Sequence, residues 1–141
     1  MSCCWGHARY VRDTGVLHAL LNLSSLDDLQ GHPIAGASWE GMVTEHLAAA
    51  APTGSELTFF RTAAGAELDA VMTLGDRRIG FEATFSSAPK PARGFWQASE
   101  GLALHSAYVV APVRQRYPIG ANTWVIPIQE IAGVLAAPKK V

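Results

Sequence analysis

Apolar residues recur along this chain with two different periods. In "AGASWEGMVTEHLAAAA" the spacing is helical, and Trp39, Met42, Val43, His46 and Leu47 share one face. Ala, Met, Leu and Glu also favour a helix intrinsically, so this is the best-defined helix in the sequence. An earlier helix is expected in "RYVRDTGVLHALLNL" after a short strand, with Asp13 or Thr14 as cap and Val16, Leu17, Leu20 and Leu21 as an apolar stripe. "SSLDDLQGHP" reads as a second short helix or turn, stopped by Gly31 and Pro33.

The pattern then becomes extended. "LTFFRT", "LDAVMTL" and "RIGFEATF" are three strand candidates, and the first is expected to be central in the sheet. After the Pro-rich "SSAPKPARG" loop, "FWQASEGLALH" returns to a helical pattern. "AYVVAPV" is a buried strand, "NTWVIPI" a further strand candidate and "IQEIAGVLAA" a closing helix. The order of helix, three strands, helix, strand and helix predicts an α/β fold, a mixed central sheet flanked by helices.

Composition narrows this picture little. The 141 residues suit one domain, placed at 10–141 after a leader at 1–9. With 49% apolar residues the chain can build a core, and its net charge of -1 gives no global pull toward nucleic acid. Residues 71–141 are the more basic half, and Arg77, Arg78, Lys90, Arg93, Arg114 and Arg116 are candidate phosphate contacts or plain surface charges. Cys3 and Cys4 are adjacent, so they form neither a disulfide framework nor half of a spaced zinc site. The start "MSCCWGHARY" lacks the layout of a signal peptide, and no apolar run is long enough to span a membrane. A cytoplasmic protein is expected.

The chemistry concentrates in "GAELDAVMTLGDRRIGFEATFSS". If Gly75 and Asp76 form a two-residue turn, Leu74 pairs with Arg77 and Asp69 falls opposite Glu82. Like charges at that spacing repel, and they share a proton, raise a pKa or bind a cation. Two carboxylates plus waters suit Mg²⁺ or Mn²⁺. A longer turn would change the register and leave both carboxylates exposed, and spacing alone leaves both arrangements open. The histidines show no metal-ligand spacing; His18 and His46 are expected to be half-buried, hydrogen-bonded helix residues. Arg61 is placed to reach either the carboxylates or a phosphate, with Glu67 as an alternative structural partner.

These residues resemble a family. "RDTGVLHALL", "HPIAGASWEGMVTEHL", "FFRTAAGAELDAVM", "FEATFSS", "GFWQA" and "YVVAPVRQRYPI" resemble the C-terminal DUF4143 domain of prokaryotic AAA+-type ATPases. The order of helical Glu, strand Asp and Glu-x-Lys also resembles the PD-(D/E)xK, restriction-endonuclease-like nucleases. The resemblance implies a restriction-endonuclease-like core. It makes Glu40 the helical carboxylate and Asp69 and Glu82 the metal ligands, and it aligns Thr84 with the catalytic lysine. A neutral, short hydroxyl cannot replace an ammonium beside a developing phosphoryl charge; Lys90, in the following loop, is the displaced candidate.

Arg61, Lys90 and Arg93 are the nucleic-acid contacts expected on this view. No phosphate-binding loop motif occurs in the chain, so the ATPase module would lie elsewhere. The expected function is that of a catalytically inactive, nuclease-like accessory domain of an AAA+-type ATPase system, acting in nucleic-acid or protein binding. The alternatives are an active Mg²⁺-dependent DNA nuclease and a pure interaction domain that forms a homodimer.

Overall fold

The computed structural model describes residues 13–136. The expected leader, and the short strand expected before the first helix, lie outside them. A six-stranded mixed sheet runs in the order β1-β2-β3-β4-β6-β5. Its strands are β1 (Glu56–Arg61), β2 (Glu67–Leu74), β3 (Arg77–Ala83), β4 (Ser106–Val110), β5 (Tyr117–Gly120) and β6 (Thr123–Ile126). The helices are α1 (Thr14–Leu20), α2 (Leu26–Gln30), α3 (Ala35–Ala50), α4 (Arg93–Gly101) and α5 (Ile131–Leu135), the last preceded by a 3-10 turn at Ile128–Glu130. This is the mixed α/β architecture that the pattern of elements predicts.

Local chemistry sets the element boundaries. Asp13 accepts the Val16 amide at 3.1 Å and so starts α1. Ser25 and Asp28 exchange side-chain and backbone hydrogen bonds across the first turn of α2. Gly75 has φ +62° and Asp76 keeps a negative φ, as a type II′ turn requires. The turn therefore pairs Leu74 with Arg77, and the register expected from the sequence holds as far as Ala70–Phe81.

Two apolar layers sandwich the sheet. On one face Trp39, Val43 and Leu47 of α3, with Ile131 and Leu135 of α5, pack on Met72, Ile79, Phe81, Tyr108 and Ile126. On the other, Phe95 and Ala98 of α4 pack on Leu68, Val71, Val109 and Val125. Burying one such large side chain contributes about 1.5–3 kcal/mol, so these layers outweigh helix propensity in fixing α3 and α4. Gly94, in the first turn of α4, is required by close approach. A Cβ there would lie 2.3 Å from the Gly65 carbonyl oxygen, on the turn that leads into β2.

Several expectations are corrected. Among the described residues β1 lies at the sheet edge, because only β2 pairs with it. β5 was not foreseen; it is a short edge strand that contains Pro118, and proline is tolerated only at such an edge. The stripe on α1 is not core: Val16 is 51% exposed and Leu20 73%. His46 is exposed, with Nδ1 2.8 Å from the Met42 carbonyl, whereas His18 is half-buried with Nε2 2.7 Å from Ser38 Oγ.

Candidate functional site

The acidic residues singled out in the sequence converge where β2 begins and β3 ends. The approach to the site is irregular. Between Thr58–Val71 and Phe60–Leu68, β1 advances two residues while β2 advances three. The extra residue is a β-bulge at Asp69–Ala70 opposite Phe59. It puts Leu68 and Val71 in the same apolar layer although they are three residues apart. It also interrupts the β2–β3 ladder, whose last pair is Ala70–Phe81.

Asp69 repairs that interruption with its side chain. Its Oδ2 accepts the Ala83 amide at 2.7 Å, so the carboxylate stands where a strand carbonyl would otherwise continue the ladder. Burial raises the Asp69 pKa, the Ala83 amide opposes the rise, Glu67 adds to it and Arg61 lowers it. Glu82 follows the last ladder pair on β3 and is less well served. Its Oε2 is buried without a hydrogen-bond partner. Burial, then the charges of Asp69, Glu67 and Glu40, push its pKa from 4.5 up to about 8, opposed only slightly by the Asp69 backbone amide. Glu82 is therefore largely protonated at neutral pH.

Glu40 reaches the same neighbourhood from α3. Its pKa is raised by burial and by the charges of Asp69 and Glu67. The preceding residue anchors the helix here: Trp39 Nε1 donates to the Val110 carbonyl at 3.0 Å. The same oxygen accepts the Thr84 amide at 3.0 Å, which holds the end of β3 against β4. The Thr84 side chain is half-buried.

The basic candidates are arranged differently from the acids. Arg61 pairs across β1 and β2 with Glu67, to which its Nε donates at 2.9 Å, so the structural partner foreseen for it is present. Lys90 and Arg93 are exposed, Lys90 in the loop before α4 and Arg93 at its first residue. Among the described residues, no three of His, Cys, Asp and Glu are grouped so as to hold a metal ion. A cation at this end would rest on Asp69 and Glu82, with the orphaned Glu82 Oε2 as its free donor. The bulge is the feature that sequence reasoning missed; no Gly or Pro marks it.

The sequence comparisons place the chain in a family. Residues 35–131 match the model of DUF4143, a domain of unknown function, and the chain belongs to that family. Two uncharacterized mycobacterial proteins, from Mycobacterium bovis and Mycobacterium tuberculosis, are each 39% identical to it over 123 residues. The match covers 86% of this chain but only 27% of each relative, so the chain spans about a quarter of their length. No solved structure matches. Among the described residues, no helix is long and apolar enough to cross a membrane.

Proposed function

We propose that this domain is a nuclease-like accessory module that has lost catalytic power and serves in binding, to nucleic acid or protein, beside an AAA+-type ATPase module. One observation carries the reading. The acidic half of a PD-(D/E)xK site has counterparts in Glu40, Asp69 and Glu82, while the lysine position holds Thr84. A phosphoryl-transfer site needs a cation where charge develops, and one missing contact of that kind costs ~10²–10³ in rate. Arg61, which acts on Asp69 electrostatically, already donates to Glu67. The length of the mycobacterial relatives leaves room for further modules outside the matched segment.

The second reading, an active metal-dependent nuclease, draws on the buried and unpartnered Glu82 Oε2. On that reading Asp69 and Glu82 would hold Mg²⁺ or Mn²⁺, and the ion would supply charge neutralisation. One assay separates the two: incubation of the purified chain with supercoiled and single-stranded DNA in Mg²⁺ and in Mn²⁺, beside Glu82→Ala. The proposal expects no cleavage by the wild type. Thr84→Lys, two residues beyond Glu82 on the same strand path, is expected to gain weak cleavage that needs the metal. Wild-type cleavage that disappears in Glu82→Ala would overturn the proposal in favour of the nuclease. Salt-sensitive DNA retention by the intact chain would assign the binding role to nucleic acid rather than protein.

A further inference from the structure

Away from the acidic cluster, at the opposite end of β3, a pocket of about 380 Å³ opens among the amino-terminal ends of the parallel strands β3, β4 and β6. Arg77 opens β3, His105 and Ser106 lead into β4, and Asn122 precedes β6. Tyr108 and Trp124 form its aromatic wall. Phe81, Tyr108 and Trp124 stack in a row across three strands, with centroids 5.6 Å and 5.7 Å apart. Arg116 lies 6.0 Å from the centre of the Trp124 ring, with its charge paired to Glu130 at 3.6 Å.

Among the described residues the lining is rich in donors and contains no carboxylate. Arg77 Nε is buried without a hydrogen-bond partner. An oxyanion entering the pocket would meet the guanidinium of Arg77, which lines it, and pair with its charge. The volume lies within the range of small-molecule sites and exceeds what an inorganic phosphate fills. An aromatic wall suits the organic body of a ligand, and an arginine with neutral donors around it suits a phosphate group.

We infer that this pocket binds a small organic phosphate, with Arg77 holding the phosphoryl oxygens and the Tyr108–Trp124 wall holding the body of the ligand. The same phosphate chemistry occurs in nucleic-acid backbones, and the oligonucleotide arm of the test separates that source from a free ligand.

The test uses the full chain and three probes: adenosine monophosphate, inorganic phosphate, and a single-stranded oligonucleotide without terminal phosphates. Binding is read by calorimetry and by the rise in unfolding temperature. Adenosine monophosphate should bind and stabilise, inorganic phosphate should do so more weakly, and the oligonucleotide should not compete. Arg77→Gln should weaken adenosine monophosphate binding by roughly tenfold or more. Arg77→Lys, which keeps the charge without Nε, should fall between it and the wild type. Arg78→Gln removes an equal charge from the adjacent exposed residue and should bind as the wild type does. Folding of each variant is checked by its cooperative unfolding without ligand. Equal binding by wild type and Arg77→Gln, or no binding of either phosphate probe, would overturn the inference. Arg77-dependent binding of the oligonucleotide alone would overturn the small-ligand assignment.

Discussion

The two ends of β3 deal with buried charge in opposite ways. At its carboxyl end Asp69, Glu82, Glu40 and Glu67 act on one another, and the strain appears as raised pKa values and as one orphaned oxygen on Glu82. At its amino end a single arginine, Arg77, lines a pocket with no acid among its described lining residues, and its buried Nε has no hydrogen-bond partner. The acidic end is partly used by the fold, because Asp69 holds the Ala83 amide where the ladder stops. Among the described residues nothing comparable ties the Arg77 Nε into the backbone. The contrast teaches that a polar group drawn into the ladder is structural whatever its ancestry, whereas one left unpartnered at a pocket points to a ligand.

The largest effect expected from breaking this contrast comes from Gly94→Ala. The new methyl would meet the Gly65 carbonyl, which belongs to backbone and cannot swing away. It would push α4 off the turn that carries β2 into the acidic end. A loss of about 2–3 kcal/mol in urea unfolding is expected.

Next comes Asp69. Asp69→Ala removes the acceptor of the Ala83 amide and should cost about 1–2 kcal/mol. Asp69→Asn keeps an oxygen in that place and removes a negative charge that acts against those of Glu40 and Glu67, so it should match the wild type or exceed its stability by up to about 1 kcal/mol. Urea denaturation of the two variants in chelator separates these roles. Equal losses in both would mean that the charge itself, not the acceptor, is what the fold uses. The smallest effect is at the other end: Arg77→Leu, without ligand, should raise stability by about 0.5–1 kcal/mol by removing the unsatisfied donor. A clear loss in thermal unfolding would show that Arg77 has a structural duty.

Much of this was legible in the sequence. The turn at Gly75–Asp76 fixed the register by backbone chemistry, since only the first central residue has a positive φ. The helical period of Trp39, Val43 and Leu47 located the face of α3 that meets the sheet. Other features carried no local signal. The bulge at Asp69 depends on how β1 meets β2, which is a non-local fact. β5 is short, largely exposed and interrupted by Pro118, so its propensity argued against a strand until β6 paired with it. The α1 stripe obeyed the helical period and yet faces outward, because periodicity says which residues share a face and not what covers it. Arg77 stood among six candidate phosphate contacts, and only the fold sets it in a pocket with Tyr108, Asn122 and Trp124, while Arg116, over the same Trp124 ring, is paired with Glu130.

The central claim is that Glu82 is held as a neutral acid in the metal-free domain, and the dependence of stability on pH tests it most directly. A carboxyl whose pKa rises from 4.5 unfolded to about 8 folded binds its proton more tightly in the folded state. Its stabilisation is then full below 4.5 and is lost as pH climbs to about 8. The loss should amount to roughly 2–3 kcal/mol after allowance for solvent screening at a partly exposed group. Urea unfolding in chelator should therefore show stability falling across that interval and levelling above it, and Glu82→Gln should remove most of the fall. Wild-type stability that stays flat or rises over the same interval, or a Glu82→Gln variant that keeps the full slope, would contradict the account.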